Sequence, residues 1–231
     1  MPEQADIMVF TPHPDDAEFG VAGSVVHWVR EGKSVVYVAV TNGDKGTSDP
    51  NMKPEELVKI REKEQQAAAK LLGVREVVFM GYPDQSLEDT PEFRKAVVRL
   101  LRLYKPHTVV TADPYRRYLW HRDHRITGRV VLDAVFPYAR DLYSYPDFIE
   151  EGIQPHKVQD VLLWGSEEPN YRLDVTDTFD IKMAALHCHK SQVGDGPNPE
   201  MMERIKERYR ASAEGTDYEL AESFHRIEMR R

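Results

Sequence analysis

Short apolar runs alternate with helical stretches through the first half of the chain, and that alternation limits the fold more than any other feature. Asp6 to Thr11, Ser34 to Thr41, Glu76 to Met80 and Thr108 to Ala112 read as strands. The Val-rich second run suits a sheet buried on both faces. Between them, helical patterns cover Ala17 to Glu31 with Gly32 as the stop, Pro54 to Gly73, and Pro91 to Tyr104. Proline is favoured in a helix's first turn and glycine just past its end. A strand, a crossover helix and another strand make βαβ units, so the pattern predicts an α/β fold with a mostly parallel sheet flanked by helices.

The second half is less regular. A helix is expected from about Asp123 to just before Pro137. Tyr138 to Lys157 holds prolines, tyrosines and charges and reads as a long connection in which mobility is an option. Val161 to Trp164 and Tyr171 to Val175 read as strands, and Thr178 to His189 and Glu200 to Ala213 as helices. Gly194-Asp195-Gly196-Pro197-Asn198-Pro199 is a turn-rich breaker. From Tyr218 the pattern allows a strand or a helix. Without repeats or linkers, the 231 residues suit one domain, with an insertion near 138–160 and a C-terminal extension from about 195.

Composition excludes several classes. With 41% apolar residues the chain can build a core, and a net charge of -8 argues against a nucleic-acid binder. Cys188 is the single cysteine, so no intrachain disulfide forms and a reducing, cytoplasmic setting is expected. The polar start lacks a signal-peptide pattern, and no apolar run approaches the roughly 20 residues of a membrane span.

Chemistry concentrates at two strand ends. His13-Pro14-Asp15-Asp16 follows the first strand, and His121-Arg122-Asp123-His124 follows the fourth. In a doubly wound sheet the ends of the strands carry the site. Either motif alone has a plain reading: an aspartate capping a helix, or two histidines opening a solvent-facing one. Both on one rim point instead to a divalent cation held by two imidazoles and a carboxylate, with a position left open as in catalytic zinc sites. Asp15 can then face water, and Asp123 can orient a histidine. Metal, base and a remaining histidine acid make a hydrolase for an amide or ester.

Other features carry less. Gly20 and Gly23 lack the dinucleotide fingerprint and suit close helix–sheet packing. His187-Cys188-His189 sits at a helix end, where such residues are ordinary, and Cys188 reads as a small apolar residue. Arg116, Arg117, Arg122, Arg125 and Arg129 read as ion pairs and rim charge, with an anionic substrate or a neighbouring subunit as the alternative.

The paired motifs resemble those of the LmbE-like (PIG-L) deacetylases. The likeness extends through Thr41-Asn42-Gly43-Asp44, Arg61, Gly81-Tyr82-Pro83-Asp84 and His189-Lys190-Ser191-Gln192. One variation is visible: the common form has Glu directly after the two aspartates, whereas here Ala17 precedes Glu18. The resemblance implies a Rossmann-like fold, one zinc ion on His13, Asp16 and His124, and Asp15 as general base. It further implies that His121 stabilises the oxyanion or protonates the leaving amine, that Asp123 holds the second motif in place, and that Arg61 and Asp84 contact a sugar. The expected reaction removes an N-acetyl group from a GlcNAc-containing small molecule or short saccharide. Amide cleavage in a thiol–sugar conjugate and a non-catalytic binding module are the alternatives. Trimers or hexamers occur in the family, and Tyr138 to Tyr145 is the expected contact surface.

Overall fold

The computed structural model describes residues 2–196 and 198–229; Pro197 of the expected breaker lies outside them. Seven strands form one sheet in the order β3-β2-β1-β4-β5-β7-β6. The elements run β1 (Ile7–Thr11), α1 (Asp16–Gly20), α2 (Ala22–Arg30), β2 (Val35–Thr41), α3 (Pro54–Leu72), β3 (Glu76–Tyr82), α4 (Pro91–Tyr104), β4 (Thr108–Ala112) and α5 (Arg122–Asp133). Then come α6 (Pro146–Glu150), β5 (Asp160–Trp164), β6 (Tyr171–Asp174), α7 (Phe179–Leu186), α8 (Lys190–Val193), α9 (Pro199–Ala213) and β7 (Ala221–Glu228). Strands β1 to β5 are parallel, while β7 runs antiparallel between β5 and β6.

Strands β1 and β2 are buried along their whole length, as their unbroken apolar runs require. One face packs Met8, Phe10, Val36, Val38 and Val109 against α4 and α5. The other packs Ile7, Val9, Val35, Tyr37 and Val110 against α2 and α3. From β1 the chain moves outward to β2 and β3, then returns to β4 on the other side of β1. The loops after β1 and β4 therefore leave in opposite directions and open a crevice between them, the usual ligand position in such sheets.

The structure departs from the sequence expectations in three places and decides a fourth. The first helix breaks at Val21 (φ -141°, ψ 5°) into α1 and α2. Buried side chains satisfy the ends at the break: Lys182 donates to the Glu18 and Phe19 carbonyls, and Glu222 accepts from the Gly23 and Ser24 amides. Lys182 and Glu222 pair at 3.0 Å, and removing one partner of such a pair costs about 3–5 kcal/mol. Gly20 and Gly23 do allow close packing: a Cβ on Gly20 would lie 2.9 Å from the Trp164 indole, and one on Gly23 2.8 Å from Val175.

The 138–157 connection, second, is structured. Phe148 of α6 enters the core, and Arg102 donates to the carbonyls of Tyr138, Ala139 and Asp141. Third, the helix expected from 178 to 189 ends at Leu186, and the separate short helix α8 starts only after His189. Last, the segment after Tyr218 resolves as strand β7, whose Ala221 and Phe224 are buried.

Candidate active site

The first motif turns sharply out of β1. Thr11 Oγ1 donates to the His13 carbonyl at 2.8 Å, and Asp15 adopts φ 97°. Left-handed backbone at a non-glycine residue costs about 1–3 kcal/mol and persists only where surrounding contacts impose it. Asp15 precedes α1, yet its side chain makes no capping hydrogen bond. It lies 3.1 Å from the Arg61 guanidinium instead, and its amide donates to Gln65 Oε1 at 3.0 Å. Arg61 and Gln65 stand one helical turn apart on α3, so one face of that helix grips Asp15 twice. Arg61 also donates to the carbonyls of Pro14 and Gly43 and is buried.

Asp16 turns the other way. Its Oδ2 accepts from the His13 amide at 2.9 Å, and it lies 3.0 Å from His13 Nδ1 and 3.2 Å from His124 Nε2. The second motif thus reaches the first: His124 stands on the first turn of α5, and the His13 and His124 ring centroids are 5.2 Å apart. His121, the residue before α5, is more exposed and lies 4.6 Å from the His13 ring and 5.1 Å from that of His124.

Asp123 holds a histidine, but the one it contacts is His13 of the first motif. Its Oδ2 lies 3.2 Å from His13 Nε2 and accepts from the Gln85 amide at 2.6 Å, while Oδ1 accepts from the Leu87 amide. Asp84 approaches the same nitrogen at 3.0 Å. Lys45 donates to the Asp84 carbonyl, and Asp44 accepts from its amide. Asp84 thus reaches the centre of the cluster, whereas Arg61 stands behind Asp15.

Charge follows this geometry. Burial opposes a charge on His13, but the carboxylates of Asp123, Asp16 and Asp84 raise it to about 12. Burial likewise opposes the Asp16 charge, and His124 and His13 hold that carboxyl well below the usual range. Asp84 is drawn down to about 2 by His13 against its burial. Asp15 moves oppositely: burial and the Asp16 charge push it up to about 7, although Arg61, His189 and His13 pull it down. Burial and the neighbouring His13 and His124 hold His121 below its ordinary value.

Three carboxylates around one imidazole favour a positive charge at the centre, proton or metal ion. The ligand atoms of His13, His121 and His124 lie within 4.8 Å of one another, as do those of His13, Asp84, His121 and Asp123. Asp16 joins through its contacts to His13 and His124. With Nδ1 facing Asp16 and Nε2 facing Asp123, His13 has the arrangement of a metal-ligating histidine whose second nitrogen is held by a carboxylate. The donor set fits a divalent cation, and imidazole favours zinc and the later transition metals.

Gln65 escaped the sequence reading, and the motifs name Glu18 and His189 without a role beside Asp15. Glu18, Gln65 and His189 are fully buried and hydrogen-bonded in series behind it. Gln65 was findable from its one-turn spacing to Arg61. Nothing local pointed to the pairing of Glu18 with His189. Among the described residues, no helix is long and apolar enough to cross a membrane.

Comparison with known proteins agrees with this geometry. Residues 8–135 match the PIG-L family, described as GlcNAc-PI de-N-acetylase. A diacetylchitobiose deacetylase of Thermococcus kodakarensis is 33% identical over 80% of this chain and 69% of its own. A probable N-acetyl-alpha-D-glucosaminyl L-malate deacetylase 2 of Bacillus anthracis is 28% identical over 83% of each. Among solved structures, the N,N'-diacetylchitobiose deacetylase of Pyrococcus horikoshii in complex with its inhibitor MPG superposes with a TM-score of 0.91 at 29% identity. It covers 97% of this chain and 84% of that one. On a match across more than half of its length, and with both motifs on one rim, the chain belongs to the PIG-L family of de-N-acetylases.

Proposed function

We propose that the protein is a zinc-dependent N-deacetylase that releases acetate from a GlcNAc-containing small molecule or short saccharide. The observation that carries this reading is the convergence of His13, Asp16 and His124 beside an aspartate that is held apart from them by Arg61. His13, Asp16 and His124 are assigned as the metal ligands. Zinc bound there supplies a Lewis acid that polarises the acetamide carbonyl and makes water more acidic.

The chain's own groups do the rest. Asp15 takes a proton from the attacking water, and its elevated proton affinity suits a base working near neutral pH. His121 lies on the open side, where its N–H can donate to the oxyanion as a neutral ring, or, once it carries a second proton, pass that proton to the leaving nitrogen. Otherwise the proton Asp15 takes from the water goes to that nitrogen. Water adds to the carbonyl carbon, the C–N bond breaks, and acetate and a free amine result. Asp123 and the 85–87 backbone hold His13 in its ring orientation. Asp84 is assigned to a sugar hydroxyl. Arg61 is buried and bonded to Asp15, Pro14 and Gly43, so it is assigned to holding Asp15, and a sugar contact would need those bonds to rearrange. Self-association as trimers or hexamers in the cytoplasm belongs to the same reading.

The test is amine release from a panel of N-acetylated sugars: diacetylchitobiose, free GlcNAc, GlcNAc-malate and GlcNAc-inositol. Metal is counted in the same preparations. Activity that rises with bound zinc, disappears with chelator and returns on zinc addition is expected. Full activity in metal-free protein would overturn the reading. Light scattering measures the oligomer.

A further inference from the structure

A buried chain of side chains runs inward from Asp15 and serves none of the roles assigned above. The Asp15 amide donates to Gln65 Oε1 at 3.0 Å, and Gln65 Nε2 donates to Glu18 Oε1 at 3.0 Å. Glu18 Oε2 lies 3.1 Å from His189 Nε2. Gln65, Glu18 and His189 are each fully buried. The segment after His189 is tied to the same side of the site. Glu64 on α3 accepts from the Ser191 amide and hydroxyl at 2.8 and 2.6 Å, and Gln192 donates to the Gly46 carbonyl at 3.0 Å.

The Asp15 end of this chain has only one consistent sense. An amide N–H can only donate, so Gln65 must offer its oxygen to Asp15. Its NH2 then faces Glu18, and an ionised carboxylate can only accept. The remaining Glu18 oxygen meets His189 Nε2, which donates to a carboxylate there or accepts from the carboxylic acid. A buried carboxyl group without partners is costly, and here each of its oxygens has one. Neither an ionised glutamate nor a hydrocarbon could replace Gln65 and satisfy both neighbours, because one neighbour donates and the other accepts.

We infer that Gln65, Glu18 and His189 form a positioning relay that fixes the main chain of Asp15 in its left-handed conformation, so that its carboxylate faces the substrate side. The inference rests on the assignment of Asp15 as the base. At φ 97° the Asp15 backbone does not hold itself, and Gln65 is the one side chain that binds its amide. Arg61 restrains the carboxylate and Gln65 restrains the backbone, one turn apart on the same helix. The relay connects this point to α8 at the far end of the sequence, so the packing of the C-terminal half is felt at the base.

The experiment is a double-mutant cycle on the zinc-loaded full chain. Gln65→Met keeps the side chain's length and removes both hydrogen bonds. Gln65→Glu keeps its shape and the acceptor and leaves a donor to Glu18 only when the two carboxyls share a proton. Each is made alone and with Asp15→Asn, and kcat, KM, bound metal and melting midpoint are measured. A misplaced catalytic group loses between about tenfold and 100-fold. Gln65→Met is expected to lower kcat by that factor, with KM and metal content within about twofold of the parent. With Asp15→Asn present, the same substitution should lower kcat by less than about twofold, because residues acting through one group are not additive.

An equal loss of kcat in both backgrounds would overturn the inference, as would an unchanged kcat in Gln65→Met. Failure of both Gln65 variants to fold or hold metal would also overturn it, by making the chain a structural strut. Asp15→Asn alone separates the two levels: unchanged turnover there removes the assignment of the base itself, whereas a deep loss there with a silent Gln65→Met removes only the relay.

Discussion

The two loops that form the site are built differently. The loop after β1 is braced from below by buried groups: Arg61 on the Asp15 carboxylate, Gln65 on its amide, and Asp123 on the His13 ring. The loop after β4 carries Tyr115, Tyr118 and Trp120, which are 73%, 72% and 85% exposed. It meets the site only where it enters α5. A wall of fixed groups thus contrasts with a second wall that carries exposed rings. Chemistry needs groups held to fractions of an ångström, whereas recognition of varied substrates tolerates an adaptable surface. In the proposed mechanism the base comes from the first wall, while the second lends His121 and His124 where it enters α5 and keeps its rings exposed.

Substitutions can break or sharpen this contrast. The largest effect is expected for Asp15→Ala, which removes the proposed base but none of the proposed metal ligands. Turnover should fall by about 10²- to 10⁴-fold while bound metal, counted by atomic emission, stays stoichiometric. Asp123→Ala should follow. It strips a partner from His13 and leaves the Gln85 and Leu87 amides unpaired. A weakening of metal affinity by about 10- to 100-fold is expected, read by competition with a chromophoric chelator.

Arg61→Met should act on the first wall through stability as well as rate. It leaves Asp15 without its cation and the Pro14 and Gly43 carbonyls without their donor. Breaking a buried pair costs about 3–5 kcal/mol, so denaturant unfolding should show a loss of that order together with reduced kcat. Trp120→Ala should do least. An exposed ring away from any packed contact contributes within about 0.5 kcal/mol to stability. Its unfolding curve and metal content should match the parent, and any change should appear in KM. A large loss of metal in Trp120→Ala would show that the second wall is as rigid as the first.

Much of the fold was legible before the structure. The runs at Ile7–Thr11 and Val35–Thr41 are unbroken in apolar character because both faces are covered, and the glycine after α3 takes φ 77°, as a helix stop requires. The break at Val21 was not legible, because the groups that cap it, Lys182 and Glu222, come from the far end of the chain. Nor did the pattern decide between strand and helix after Tyr218. There Ala221, Ser223 and Phe224 pair with β6 while Phe224, His225 and Ile227 face β5, and only those neighbours select the strand.

The sequence by itself determined that a histidine and two aspartates end one buried strand, that two histidines and an aspartate follow another, and that both strands lie in one parallel sheet. Such statements rest on local periodicity and on the order of elements, which a single chain displays openly. Only the tertiary structure decided that Asp123 grips His13 instead of its own neighbours, that Arg61 stands behind Asp15, and that Gln65, Glu18 and His189 join in series. Those pairings link residues far apart in the chain, and their geometry follows from how helices pack on the sheet, to which hydrophobic spacing is blind.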